Sequence, residues 1–479
     1  MKTKFLHHPL LAFVGLTGAF LLAASLTAPA QNPSAPVRVY PPAPGEPLST
    51  QFVVKAEDQT VPVYLATVIA MNAQRRERTD LQHFEDGDLG QTSFASFDLR
   101  GDAHVTVTCP GPINSIKLLP TSCGIVPQVT GNNVTFTLSK PGQFVLEVNG
   151  NTVQCLQIFA NPWDADAPNP NDPNVIYYGP GLHKVHNVKV GSGKTVYIAG
   201  DAVVYGTPSG PIFILHGDNI TLRGRGIIDG SICPHPVSPL IASTGNNISL
   251  EGVVLRDSGA WTMPLTACNH VTVKNIKIFG YRGNSDGIDV NDTQNVDISD
   301  CYIRTNDDLI VVKTQILGRG ESRHITAEHC VLWNELAHAL SIGAEIRQPV
   351  SDVVFSDCDI IHDMGREWLL RVYHTDSATV SNVTFRDIRI EECRRLISLW
   401  IGGAIWSKDK ERGHIDNITF QNINSPAPSR QSSPVELVGF DADHAIHDVK
   451  FDHVVVGGQP LKASDVKQNP FAYGITLTP

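Results

Sequence analysis

The chain has 479 residues and a formal charge of −11. That length suffices for two domains with large buried cores. The acidic balance disfavours non-specific binding to nucleic acid or an anionic membrane, so neither is expected as a partner, and an anionic ligand would need a local basic cluster.

Lys2 and Lys4 precede an apolar run from Leu10 to Leu26, and Ala28-Pro29-Ala30 supplies a small-residue cleavage pattern. Residues 1–30 therefore read as a secretory signal peptide, with Gln31 as the mature start and export as the consequence. Loss of Lys2 and Lys4 takes the charge to −13. The run is short, carries Gly and Thr, and has no basic stop-transfer flank, so a membrane anchor fits less well. Residues 31–50, rich in Pro, Ala and Ser, read as a flexible leader. From 51 to 160, short β-prone runs such as His104-Val105-Thr106-Val107-Thr108 alternate with turn residues, which predicts an antiparallel β-sandwich. Residues 161–174, dense in Pro, Asp and Asn, predict a linker.

Nine cysteines leave at least one unpaired within the chain. No CxxC or zinc-like His spacing occurs, so neither a metal nor another cofactor is expected. Export permits a disulfide, and Cys109 with Cys123 could close a small loop.

Beyond residue 174 the sequence repeats. β-Prone triplets start at Val196, Ile220, Ile248, Val271, Val296, Ile325, Val353, Val383, Ile418 and Val449, at steps of 23 to 35 residues. From Ile248 onward, the position two on is Leu250, Val273, Ile298, Ala327, Phe355, Phe385, Phe420 and Phe451. The position five on is Val253, Ile276, Cys301, Cys330, Cys358, Ile388, Ile423 and Val454. Both series are apolar, whereas the position four on holds Gly, Asn, Asp or His, as a turn would. Two inward ladders in register over ten turns predict a right-handed parallel β-helix over residues 175–465, with 466–479 as a tail. Cys301, Cys330 and Cys358 then lie inside the coil as inert thiols.

One stretch carries the chemistry. Asn284-Ser285-Asp286 is answered by Asn306-Asp307-Asp308, so Asp307 and Asp308 follow Asp286 by 21 and 22 residues. One coil apart, three carboxylates meet on one face, with His338 and Arg371 following on the next coils. Such a set suits glycoside hydrolysis, in which one carboxylic acid protonates the leaving oxygen and another activates water or attacks. Crowded like charges raise one pKa and keep an acid protonated near neutral pH. A run containing Arg366, Arg371, Arg386, Arg389, Arg394 and Arg395 is the candidate basic cluster.

With Ala337-His338-Ala339-Leu340-Ser341-Ile342-Gly343, these motifs resemble those of the polygalacturonases, glycoside hydrolase family 28, whose pattern is N-T-D, D-D, G-H-G leading into L-S-I-G, then R-I-K. The resemblance implies inversion by single displacement. Asp307 would be the general acid, with Asp286 and Asp308 positioning and activating water. His338 would hold the carboxylates and the sugar, and Asn284 and Arg371 would bind substrate. The chain departs from the pattern at Ser285, Ala337 and Ala339, and R-I-K appears as Arg371-Val372-Tyr373. Tyr373 can stack on a sugar but supplies no charge, which leaves an acidic substrate less supported than the reaction class. Lys313 is the candidate replacement.

A second resemblance lies at Asn174-Val175-Ile176-Tyr177-Tyr178-Gly179-Pro180-Gly181 and Thr195 to Gly206. They are similar to the sandwich-to-helix junction of the dextranase and isopullulanase family, number 49, whose members cut neutral α-glucans. The sandwich then reads as a cap on the first coil or a sugar-binding module. A polysaccharide substrate and a monomer are expected. Two other classes stay open: a lyase on the same fold, using a Lys or Arg base with calcium, and a non-catalytic glycan-binding solenoid.

Overall fold

The apolar triplets stack coil on coil, and the turn residues between them take the backbone conformation that lets each coil close. The computed structural model describes residues 35–479 except 77–83, 165–166, 209, 237 and 432. The expected signal peptide and residues 31–34 lie outside the described residues. Among those described, no helix is long and apolar enough to cross a membrane.

Each coil contributes one strand to an 11-stranded parallel sheet and, to a 22-stranded sheet path, either two short strands or one long one such as Thr379–Ile390. This is a right-handed parallel β-helix of eleven coils among the described residues, one more than the ten expected triplets. The first coil enters at Val175–Tyr178, and the last closes at Ala472–Thr478, paired in parallel with Ile446–Asp452. The expected tail is therefore the final coil. Its alternating Ile475 and Leu477 pack against the core and leave it no freedom to hang loose.

Both inward ladders are buried. Phe355, Phe385, Phe420 and Phe451 stack with ring centroids 5.1, 4.9 and 5.3 Å apart. Cys301, Cys330 and Cys358 are fully buried free thiols in the other ladder, and Cys109 and Cys123 are also free. The turn positions four on, Gly252, Asn275, Asp300, His329, Asp357, Asp387, Asn422 and His453, all have positive φ. Asn and Asp tolerate that region because their short polar side chains bond locally. A second positive-φ column, one residue before each triplet, includes Asn247, Asn295, Asn382 and Asn417. Its side-chain amides bridge coils, as Asn417 Nδ2 does to Asn382 Oδ1 at 2.7 Å.

The N-terminal region is a β-sandwich of a six-stranded and a five-stranded sheet, antiparallel except where Leu156–Pro162 runs parallel to Leu89–Leu99. Residues 36–50 belong to it. Val37–Val39 pairs with Phe97–Leu99, Val37 and Ala43 are buried, and buried Glu46 bonds Arg256. The reading of this segment as a flexible leader is thus corrected: Val37, Ala43 and Glu46 tie it to the fold. The stretch read as a linker is also anchored at its start, where Asn161 and Asp164 are buried and hydrogen-bonded.

The sandwich does not cap the end of the helix; it lies along its flank. Its Phe94, Val145 and Phe159 pack against Val203, Ile227, Val254, Phe279, Tyr302, Val331 and Ile361, which come from seven successive coils. Outward positions of those coils also carry charge into this seam. Arg256 bonds Glu46 Oε1 and Asp229 Oδ2 at 2.5 Å each, Arg225 bonds Asp98 Oδ1 at 2.7 Å, and Arg304 bonds Glu335 Oε1 at 2.7 Å. Residues Pro36–Pro479 form one compact unit.

Candidate active site

The 11-stranded sheet places the site. Its strands beginning at Met263, Ile288, Ile310, Leu340 and Leu370 are in register. Two residues before each start, successive coils present Trp261, Asp286, Asp308, His338 and Trp368. Backbone bonds lock this column: Thr262 N–H donates to Asp286 O at 2.7 Å, Gly287 N–H to Asp308 O at 2.8 Å, and Leu309 N–H to His338 O at 2.9 Å. Gly287 is required there, since a Cβ would overlap the Leu309 carbonyl. Gly343, at positive φ, is similarly pressed against the Tyr373 carbonyl, which accounts for the glycine ending Leu340-Ser341-Ile342-Gly343.

The column opens into a cleft of about 580 Å³ lined by Asn284, Asp286, Asp307, Asp308, Lys313, His338, Arg371 and Tyr373, the candidate catalytic and substrate-binding residues of the sequence. Asp286, Asp307 and Asp308 each place one carboxylate oxygen within 4.8 Å of the others. The Asp307 carboxylate accepts the Asn284 backbone N–H at 3.2 Å and its neighbour's N–H at 3.0 Å. Asn284 thus reaches the acid through its main chain. Buried Asp286 Oδ1 and Asp308 Oδ1 have no hydrogen-bond partner. Burial, and then the Asp286 charge, push the Asp307 pKa up to about 7. Burial also pushes Asp308 well above the usual carboxylate range, against the pull of Lys313. Such a donor set has the spacing to hold a divalent cation, but the Lys313 ammonium already supplies positive charge there.

Lys313 is only 5% exposed, and its Nζ donates to Asp286 Oδ2 at 3.0 Å and Asp289 Oδ1 at 2.9 Å. The Trp261 ring lies 4.2 Å from the same nitrogen. Burial opposes the Lys313 charge, but Asp286, Asp289 and Asp308 outweigh it and hold its pKa well above the ordinary value. The expectation that Lys313 supplies charge to substrate is therefore revised, because that charge is committed to two carboxylates.

His338 does not hydrogen-bond a carboxylate. Its Nδ1 faces the Trp368 carbonyl at 2.6 Å, so Nδ1 carries the proton, and Nε2 accepts from Arg371 Nη1 at 3.4 Å. Burial and the Arg371 guanidinium push its pKa down to about 3, leaving it neutral. Arg371 also donates to Glu367 Oε2 at 3.0 Å and stacks over Tyr373 at 4.0 Å. Of the six arginines read as a basic run, only Arg366 and Arg371 line the cleft, while Arg389 pairs with Asp357 and Asp359.

Several site residues carried no motif: Trp261, Asp289, Glu367 and Trp406. Asp289 and Lys313 were detectable as charges at outward positions of otherwise apolar strands. Trp406 is 44% exposed at one end of the cleft and sits on a loop held by buried Asp376, which accepts the Lys408 and Asp409 N–H groups.

A polygalacturonase of Gossypium barbadense is 25% identical over 210 residues, covering 40% of this chain and 50% of that protein. The chain thus spans about half the length of the curated relatives it matches. Among solved structures, Dex49A from Penicillium minioluteum shares the fold at TM-score 0.63 and 13% identity, covering 91% of this chain and 96% of that one. A hyperthermoactive exopolygalacturonase from Thermotoga maritima follows at TM-score 0.51 and 14% identity, covering 64% and 84%. Residues 187–471, more than half of the sequence, match the family described as Glycosyl hydrolases family 28, and the chain belongs to that family.

Proposed function

We propose that the protein is an exported, polygalacturonase-like glycoside hydrolase that cleaves O-glycosidic bonds in a polysaccharide by an inverting, single-displacement mechanism. The carrying observation is the convergence of Asp286, Asp307 and Asp308 within 4.8 Å at the floor of the cleft. Asp307, with a pKa near 7, donates its proton to the leaving oxygen as that oxygen takes the electron pair of the breaking bond. Water attacks the anomeric carbon from the opposite face, and its proton passes to Asp286 or Asp308. Neutral His338 and Arg371 orient the sugar. The acids are closer than the ~6.5–9.5 Å usual between acid and base in inverting enzymes, with two carboxylates sharing the base side. The anomer first formed is therefore the decisive readout. Proton NMR in the first minutes should show net inversion, and net retention would make Asp286 or Asp308 a nucleophile instead.

A second reading, a neutral α-glucan as substrate, is favoured by the lining of the cleft. Asp286, Asp307, Asp308, Glu345 and Glu367 face only Lys313, Arg366 and Arg371, and the last is already paired. Lys313 and Arg371 are committed to carboxylates of the cleft, which leaves little positive charge for a polyuronate, and Tyr373 and Trp406 offer surfaces suited to an uncharged ring. A reducing-sugar screen over polygalacturonate and neutral α-linked polysaccharides, with wild type and Asp307→Asn, separates the two. Release of no reducing ends by wild type from a broad panel would overturn the hydrolase reading. Unsaturated uronic ends, seen by ultraviolet absorbance, would make it a lyase.

A further inference from the structure

We propose that Lys313 and Asp289 form an internal charge device that positions Asp286 and divides the acid and base roles among the three aspartates. The inference rests on the hydrolase reading for its kinetic consequence but not for its physical basis. Asp289 lies one strand position beyond Ile288 and is fully buried. One Lys313 ammonium is shared between Asp286 Oδ2 at 3.0 Å and Asp289 Oδ1 at 2.9 Å. The second oxygen of each carboxylate has no hydrogen-bond partner, so Lys313 is the principal stabiliser of charge on both. The Trp261 ring lies against this nitrogen, and burial strengthens the pairing.

The groups facing the pair are Asp307 and Asp308 from the next coil, Glu345 on the following strand, and Arg371 with His338 beyond Asp308. Five carboxyl groups thus crowd around one buried ammonium. Lys313 is the cation these carboxyls share, and burial pushes Asp289, Asp307 and Asp308 up from the usual carboxylate range. Asp289 acts through Lys313 and competes with Asp286 for it. Both are positioning residues, and Lys313 is withdrawn from substrate binding.

Removing the cation and removing its competitor then act in opposite directions. Lys313→Met should move the acidic limb of the kcat/KM profile up by about 1 pH unit or more. Asp289→Asn frees Lys313 for Asp286 and should move that limb down, and Lys313→Arg should restore it close to wild type. A role in packing alone would lower kcat/KM in the variants without moving the limb. Urea unfolding reads the same device without substrate. Lys313→Met should lose stability more steeply than wild type between pH 5 and 8, because a carboxyl that folds protonated is disfavoured as pH rises. The double variant Lys313→Met, Asp289→Asn provides a folded reference if the single one is unstable. Limbs that stay in place, or move the same way in both single variants, overturn the proposal, as do parallel pH–stability curves. An inactive wild type overturns the hydrolase reading instead and leaves the urea comparison to decide this one.

Discussion

Charge buried in the seam and charge buried in the cleft are built on opposite rules. In the seam between sandwich and β-helix, each arginine meets its carboxylates at hydrogen-bond distance: Arg256 with Glu46 and Asp229, Arg304 with Glu335, Arg225 with Asp98. In the cleft, like charges are crowded together and buried oxygens of Asp286, Asp289 and Asp308 are left unpartnered. Compensated charge fixes one arrangement of two layers. Uncompensated charge perturbs protonation and keeps groups available for a reacting molecule.

The sharpest break of the comparison is Asp307→Asn. It should lower kcat roughly 10²–10⁴-fold or more, the range for losing a positioned general acid, while the melting temperature stays within a few degrees. Arg256→Ala should do the reverse. It strands Glu46 and Asp229 in the seam and should cost about 3–5 kcal/mol in urea unfolding, with kcat of the folded protein little changed. Third, the alkaline limb of kcat/KM should fall near pH 7 as Asp307 loses its proton. The Asp307 pKa is raised on folding, so its stabilising contribution is complete below its unfolded value near 4 and is lost as pH rises through about 7. Asp307→Asn should therefore gain urea stability over wild type at pH 8 but not at pH 4.

The smallest effect comes from the seam's exception. Lys277 is fully buried, with only the Asn161 side chain and the Gly252 carbonyl as acceptors, and burial pushes its pKa well down. The unfolded chain binds this proton more readily, so wild type is disfavoured at neutral pH and gains as pH rises toward the ordinary lysine value. Lys277→Met should stabilise by on the order of 1 kcal/mol at pH 7, with the advantage shrinking at higher pH. A destabilised Lys277→Met would show that its hydrogen bonds outweigh the burial of its charge.

The coil ladders were legible because they are local and repeated: Leu250 to Phe451 and Val253 to Val454 recur at nearly fixed offsets. Asp286, Asp307 and Asp308 were legible because their separation matches one coil. The seam was not. Arg256, Lys277, Arg304 and His362 occupy outward strand positions, where a charged residue reads as solvent-facing until another domain covers it. Only a partner distant in sequence reveals the difference, as Glu147 does for His362, bonded at 2.5 Å. For the same reason Glu46 passed as part of a leader, and Lys313 as a charge free for substrate.

The sandwich that spans seven coils also alters how the molecule can come together. A bare solenoid is bound only by nearest-neighbour contacts, and its ends can peel away one coil at a time. Here the domain synthesised first provides a surface on which coils from Val203 to Ile361 settle as they emerge from the ribosome. Early coils thereby acquire a long-range tie before their later neighbours exist. The coils beyond Glu391, which still bonds Lys117 and the Thr121 N–H of the sandwich, lie outside that seam and should be the first to fray, a gradient that hydrogen exchange would register as protection falling toward the C-terminus.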